Sequence, residues 1–275
     1  MVNVGCHVSI QRGYLQAAKM AFQIGASSFQ YFPKNPRNLT IKSFNLHEAE
    51  ACARFCEEKG LLSMGHAPYP LNLAVEEDLS DIMLQAILNG LDITDACGSV
   101  GLVVHFGKYR GKDPLQGYKN IIYLLNKALR QWHGKACILL ENQAGEGTRM
   151  GTTLEELVKI RNLSDYPDKI GFCLDTCHAF ASGLWTGDNW NEVQQKGTEL
   201  GYFDHLKAVH LNDSMYASGS RRDRHSCIGK GHIGEAPIKQ LLRSSVVKGL
   251  PVVLETPSQG GSHQSEIAYV QSLLD

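Results

Sequence analysis

A single eight-stranded β/α barrel is the fold this sequence predicts, on three observations. Short apolar runs alternate with amphipathic stretches from end to end, which is the pattern of parallel β/α units. Eight such runs, each followed by a helical pattern, favour a closed barrel over an open doubly wound sheet. The 275 residues suit one large core, close to the roughly 250 of such a barrel. No linker, low-complexity tract or internal repeat divides them, so one domain over 1–275 is expected.

The elements follow in order. The N-terminus, Met1-Val2-Asn3-Val4-Gly5-Cys6-His7, lacks the basic and apolar regions of a signal peptide and reads as a first strand, Val2–Val8. The helical pattern Tyr14–Ile24 leads to strand two at Ser28–Phe32, and Leu46–Lys59 to strand three at Leu61–His66. Leu79–Cys97 precedes strand four, Gly101–Phe106, and Pro114–Gln131 precedes strand five, Cys137–Glu141. Helix Thr153–Arg161 leads to strand six, Gly171–Asp175; strands seven and eight are Lys207–Leu211 and Pro251–Glu255. Ile238–Leu242 and a closing pattern at Gln264–Leu274 complete the set.

Bulk properties exclude several classes. With 43% hydrophobic residues the chain is neither disordered nor a membrane protein, and no apolar run reaches the roughly 20 residues that span a bilayer. Eight cysteines without a secretory leader point to free thiols in a reducing, cytoplasmic compartment, most of them buried as small apolar residues. Cys52/Cys56 and Cys173/Cys177 do not have zinc-knuckle spacing. A net charge of −1 gives no strong overall field for nucleic acid. No Gly-x-Gly-x-x-Gly or Walker-type loop follows a strand, which argues against a nucleotide site.

The residues that close the strands carry the chemistry. Strand three ends at His66, four at His105, five at Glu141, six at Asp175, seven at His210 and eight at Glu255. In a parallel barrel these ends open onto one face, the face where active sites form. Singly, each histidine reads as a hydrogen-bonded core residue and each carboxylate as a cap for the next helix. Together, three carboxylates without a cation would repel at a cost of several kcal/mol in a low-dielectric cavity. A cluster of divalent ions removes that conflict. His178 follows Asp175 by three residues, and Asp223-Arg224-His225 lies in a glycine- and arginine-rich loop after strand seven. Nitrogen and oxygen ligands together suit zinc, with manganese or iron compatible, and so many exceed what one tetrahedral ion needs. Two or three ions are expected. On an extended backbone Asp223 and His225 face the same side while Arg224 points away; the simpler alternative pairs Asp223 with Arg221 or Arg222.

The segments Gly65-His66-Ala67-Pro68-Tyr69-Pro70-Leu71-Asn72-Leu73, Leu140-Glu141-Asn142, Asp175-Thr176-Cys177-His178-Ala179-Phe180, His210-Leu211-Asn212-Asp213, Asp223-Arg224-His225 and Leu254-Glu255-Thr256 resemble the endonuclease IV family. The likeness begins at Gly5-Cys6-His7-Val8-Ser9 and spans nearly the whole chain; the sixth-strand motif and the Asp-Arg-His triplet are its specific parts. It implies an apurinic/apyrimidinic endonuclease of base-excision repair with three zinc ions. By similarity His66 and His105 hold one ion, bridged by Glu141 to a second that also takes Asp175, His210 and Glu255. His178, Asp223 and His225 hold the third. The implied reaction hydrolyses the phosphodiester 5′ to an abasic deoxyribose and leaves a 3′-hydroxyl, with Glu141, Asp175 and Glu255 as the catalytic carboxylates. Zinc lowers the pKa of bound water toward roughly 7, so a metal-bound hydroxide serves as nucleophile and no side chain is needed for that role.

The implied partner is double-stranded DNA containing abasic sites, bound by a monomer, with no membrane. Three basic clusters follow strands two, four and seven: Lys34, Arg37 and Lys42; Lys108, Arg110 and Lys112; Arg221, Arg222, Arg224 and Lys230. All therefore sit at the mouth where a phosphate backbone would lie. Arg37 matches the family's arginine that enters the base stack, and Tyr69 matches a second wedge residue; a rim aromatic without function is the plainer reading of Tyr69. Lys34 and Arg224 are expected at phosphates. The chain departs from the family at Pro70, where many relatives carry an apolar wedge, and at Phe106, where many have proline after the histidine. His7, at the end of strand one, faces the mouth as pocket lining or as a structural hydrogen-bonding group. The alternative function is a xylose-isomerase-like metal-dependent sugar isomerase or epimerase, which needs fewer metals and neither the Asp223/His225 pair nor arginine-rich rim loops.

Overall fold

The computed structural model describes residues 2–258 and 260–274. Met1, Gln259 and Asp275 lie outside the described residues, and with them both ends of the domain expected over 1–275. Seven strands come first: β1 (Asn3–His7), β2 (Ser28–Tyr31), β3 (Leu62–His66), β4 (Gly101–His105), β5 (Cys137–Glu141), β6 (Ile170–Asp175) and β7 (Leu206–His210). A short antiparallel pair, β8 (Asp213–Ser214) and β9 (His225–Ser226), precedes β10 (Pro251–Leu254). β1 to β7 and β10 close a parallel barrel in the order β1-β10-β7-β6-β5-β4-β3-β2. This is the expected β/α barrel, and the strand bounds shift by no more than a residue or two.

Around it run α1 (Tyr14–Gln23), α2 (Leu46–Lys59), α3 (Glu77–Ala96), α4 (Pro114–Gln131), α5 (Leu154–Leu163), α6 (Thr176–Ser182), α7 (Trp190–Glu199), α8 (Glu235–Arg243) and α9 (Gln264–Ser272). Local signals explain several boundaries. Asn45 caps α2 by accepting from the Glu48 N–H, and Gly60 ends it in the left-handed region at φ 63°. Asp113 caps α4 with Pro114 in its first turn, and Thr153 with Glu156 forms a capping box on α5. The sequence pattern marked neither α6 nor α7. Six of the seven residues of α6 are buried, so it has no polar stripe to give a helical period.

Alternation along the strands builds two cores. Val4, Leu102, Val104, Ile138, Leu140, Phe172, Val209 and Val252 point outward and pack under the helices. Met64, Val103, Leu139, Cys173, Ala208 and Val253 point inward as a separate cluster filling the barrel. At the seam between β1 and β2 the backbones approach so closely that a Cβ on Gly5 would lie 1.6 Å from the Ser28 carbonyl oxygen. Among the described residues no helix is long and apolar enough to cross a membrane.

The inward cluster leaves β1 nowhere to retreat, so Gly5→Ala should be far costlier than its one methyl suggests. A loss of at least about 3 kcal/mol is expected, the upper end for overpacking. In a thermal melt followed by circular dichroism that is roughly 6–12 °C for a chain of this size. A variant melting alongside the parent would show that the seam can open.

Candidate metal centre

Two residues beyond each inward apolar residue, the same face of the strand carries a polar one: Met64 leads to His66, Val103 to His105, Leu139 to Glu141, Cys173 to Asp175, Ala208 to His210 and Val253 to Glu255. The barrel core thus changes from apolar to ligand-bearing within one strand repeat. His7 and Gln30, in register on β1 and β2, complete the ring. Asp175 ends β6 and also caps α6, accepting the His178 N–H at 2.7 Å. That turn fixes His178 at the mouth. Capping and facing the centre are compatible, because the second oxygen, Oδ2, stays toward His210 and His225 at 3.8 Å from each.

The structure brings all nine expected ligands together. His66, His105 and Glu141 form one group of donors; Glu141, Asp175, His210 and Glu255 a second; His178, Asp223 and His225 a third; and Asp175, Cys177 and His225, overlapping the last two, a fourth. Within each group the donor atoms lie within 4.8 Å of one another, so each could hold a metal ion. Glu141 belongs to two groups. Its Oε2 sits 3.6 Å from His66 Nε2 and 3.4 Å from His105 Nε2, and its Oε1 2.9 Å from His210 Nδ1. Asp223 stands between two rings, 3.2 Å from His178 Nε2 and 3.2 Å from His225 Nε2. It is therefore not spent on the neighbouring arginines. Arg222 instead lies over the Tyr216 ring at 4.7 Å.

Second contacts orient the rings. His66 donates from Nδ1 to the Ala67 carbonyl at 2.7 Å, His178 to the Asn142 carbonyl at 2.9 Å and His225 to the Glu255 carbonyl at 3.3 Å. In the neutral ring each bond keeps the proton on Nδ1, which leaves Nε2 free to bind a metal ion. Asn142 bonds the Asp175 backbone through both ends of its amide, and Asn212 donates to Asp175 Oδ2 at 2.7 Å. Two atoms call for a further partner: Glu141 Oε2 and His225 Nε2 are buried with no hydrogen bond among the described residues. Such groups cost about 1–3 kcal/mol each when left unsatisfied. A divalent cation suits both, so the donor set fits a metal cluster.

Burial and neighbouring charges shift several of these titrations. Burial opposes ionisation of Glu141, but His210, His105 and His178 hold its carboxyl well below the usual range. Burial likewise opposes Glu255, yet His210 and His66 bring it to about 2. For Asp175 burial wins and its carboxyl is raised. Burial lowers His105 to about 4, keeping its nitrogen unprotonated. Against burial, Asp223 and Asp175 raise His225 to about 9, Asp175, Asp223 and Glu141 hold His178 above the ordinary value, and Cys173, Glu255 and Glu141 do the same for His210.

Rim residues come next. Tyr69 is tied to the segment that carries Arg37, its N–H donating to the Pro36 carbonyl at 2.9 Å, and it is 62% exposed with its ring 5.1 Å from Phe32. A groove of about 860 Å³ runs beside them, lined by His7, Phe32, Lys34 and Arg37. Lys34 lies beneath the rim rather than on it: it is 3% exposed, its amine lacks a partner, and burial lowers it to about 8. Lys42 is occupied by the Tyr14 hydroxyl at 2.7 Å. Arg224 points away from the cluster toward Glu146 at 3.4 Å. The His7 ring packs against Phe32 with centroids 4.7 Å apart and the planes tilted by 52°.

Sequence reasoning assigned no role to Gln30, Asn142, Asn212 or Asp213. The second-strand alternation carried a signal for Gln30, a polar side chain on the inward face. Asp213 is fully buried and accepts the backbone N–H groups of Ser214, Gly229, Gly231, Ile233 and Gly234. It is the anchor of the loop that carries Asp223 and His225.

A family model described as xylose isomerase-like TIM barrel matches residues 18–273. A protein called probable endonuclease 4 in Symbiobacterium thermophilum is 42% identical over 99% of this chain and 100% of its own length. The crystal structure of endonuclease IV from Thermus thermophilus superposes with a TM-score of 0.86 at 29% identity, covering 99% of this chain and 98% of that one. A 3-keto-D-glucoside 4-epimerase from E. coli, with a TM-score of 0.69 at 15% identity over 99% of this chain and 100% of its own, shares the fold. With full-length identity of this order and a matching family model, the chain belongs to the endonuclease IV family of xylose isomerase-like TIM barrels.

Proposed function

We propose that this nuclease hydrolyses the phosphodiester on the 5′ side of an abasic deoxyribose in duplex DNA, leaving a 3′-hydroxyl, on a site that holds three zinc ions. One observation carries the reading: among the described residues three of four candidate donor groups at one barrel mouth account for all nine ligands, two of them joined through Glu141. His66, His105 and Glu141 would hold the first ion, Glu141, Asp175, His210 and Glu255 the second, and His178, Asp223 and His225 the third. The oxygen-rich second group is also compatible with manganese or iron. When bound, the ions supply Lewis acidity toward the phosphate and lower the pKa of coordinated water.

The chain's own residues do the rest. Glu141, Asp175 and Glu255 supply the negative charge that retains the ions, and the Asn212 amide keeps Asp175 turned toward them. Asp223, 38% exposed, is the most open of the carboxylates and faces the side from which a phosphate would approach. Arg37 and Tyr69 form a wedge over the groove, which offsets unstacking as a nucleotide leaves the duplex. Arg224 exchanges Glu146 for phosphate, since an exposed ion pair of that kind is worth little. Lys34 contributes positive potential from below the rim. The enzyme acts as a monomer in the cytosol on nucleoid DNA, and its buried cysteines, Cys6, Cys52, Cys56, Cys97, Cys173 and Cys177, suit a reducing compartment.

Three outcomes test this reading. Purified protein should nick a duplex oligonucleotide immediately 5′ to an abasic analogue, lose the activity after chelation and regain it with zinc; Glu141→Gln and Glu255→Gln should remove most of it. Intact duplex together with turnover of a keto-sugar would give the case to an isomerase. Elemental analysis of Asp223→Ala should show bound metal falling from about three ions to about two, with melting temperature nearly unchanged because the strand-end ligands remain. Full metal content with near-normal nicking would remove the third ion. Arg37→Ala and Tyr69→Ala should each weaken binding to lesion-containing duplex, by about tenfold or more if the stacking contribution is the roughly 1–3 kcal/mol typical of aromatic–base contacts, while bound zinc stays constant. Loss of zinc, or unaltered affinity in both, refutes the wedge.

A further inference from the structure

Gln30 is fully buried, lies on β2, and reaches across the mouth to groups on three other strands. Its Nε2 lies 2.6 Å from Glu255 Oε1 and 3.2 Å from His7 Nδ1, and its Oε1 lies 2.6 Å from His210 Nε2. β2 and β7 are not neighbours in the barrel; β1 and β10 separate them. No other residue is needed to satisfy this amide. Its oxygen has one partner and each of its two N–H groups has one.

We propose that Gln30 is a positioning residue of the second ion site: it holds His210 as the tautomer protonated on Nε2 and ties Glu255 and His7 to the same amide. Chemistry fixes the direction of each bond. Glu255 Oε1 can only accept, so the amide nitrogen must face it; the flipped amide would set two acceptors against each other at 2.6 Å. The amide oxygen is then left for His210, and an oxygen that only accepts requires the proton on Nε2. The lone pair of His210 is thereby confined to Nδ1. That atom sits 2.9 Å from Glu141 Oε1, 3.3 Å from Glu255 Oε2 and 3.8 Å from Asp175 Oδ2, among the four donors of the second group. His7 follows the same logic, accepting at Nδ1 and carrying its proton on Nε2. Gln30 also does this without adding charge, whereas another carboxylate would crowd Glu141, Asp175 and Glu255.

This inference rests on the metal-centre reading, and the experiment separates the two. Gln30→Met keeps the side-chain volume and removes all three bonds; Gln30→Glu keeps an acceptor for His210 whether ionised or not. Zinc-loaded wild type and variants are compared by zinc transfer to a colorimetric chelator and by long-range ¹H–¹⁵N correlation of the histidine rings. In Gln30→Met one ion should be bound about 10- to 100-fold more weakly, the range for loss of a group that orients a metal ligand, with the other ions unaffected. The His210 Nε2–H signal should disappear in Gln30→Met and persist in Gln30→Glu. A purely structural role would instead lower the melting temperature of the metal-stripped protein while every ion leaves at the wild-type rate, and that result, or a His210 signal that behaves alike in both variants, overturns the proposal. Wild-type protein that takes up no zinc defeats the metal-centre reading itself.

Discussion

Electrostatic crowding at the barrel mouth is the constraint on which the rest of this structure depends. Glu141, Asp175, Asp223 and Glu255 face one small space with His66, His105, His178, His210 and His225 between them. Coulomb repulsion at such distances is poorly screened where water is scarce. The protein alone relieves it only in part, by drawing protons onto His178, His210 and His225 and by turning the amides of Asn212 and Gln30 toward the carboxylates. The same arrangement therefore explains the shifted titrations, the unsatisfied atoms Glu141 Oε2 and His225 Nε2, and why the donor set suits divalent cations.

The barrel supports this crowding by dividing labour along each strand. Inward residues from Met64 to Val253 form a dry plug, and the polar layer begins one repeat later. Outward residues secure the helices independently. The sheet is thus held mainly by apolar packing beneath the ligands, and the ligands gain a rigid floor, with Cys173 of the plug reaching His210. Asp175 is the point where the two functions meet, since one oxygen ends the strand by starting α6 and the other faces the centre.

How much of this was legible in the sequence depended on whether one short period carried the information. The eight strands and their closing residues were readable because alternation by two is local, and parallel topology turns six strand ends into one site without long-range reasoning. Asp223 and His225 were readable from spacing, and the structure seats Asp223 between two histidine rings rather than on Arg221 or Arg222. What escaped were contacts between residues far apart in the chain. The Gln30–His210 bond joins positions 180 residues apart, and Asp213 gathers N–H groups from a loop whose path no pattern describes. Lys34 shows a further limit, for a charge in a basic cluster gives no sign of lying beneath its neighbours. α6 was hidden by its burial on every side.

The loop anchored by Asp213 has a consequence for how such a centre can change. Asp213 grips backbone N–H groups from Gly229 to Gly234, and the Gly219 and Arg221 N–H groups bond to the Phe180 and Ala181 carbonyls, so much of the segment's hold on the domain runs through its backbone. Asp223 and His225 can accordingly be replaced, or the stretch between β8 and β9 redrawn, while the plug and the strand-end ligands stay intact. Two donors of the third group, Asp223 and His225, thus sit outside the barrel strands, whereas the donors of the first two groups close them, so the composition of the mouth can change through one segment without touching the barrel.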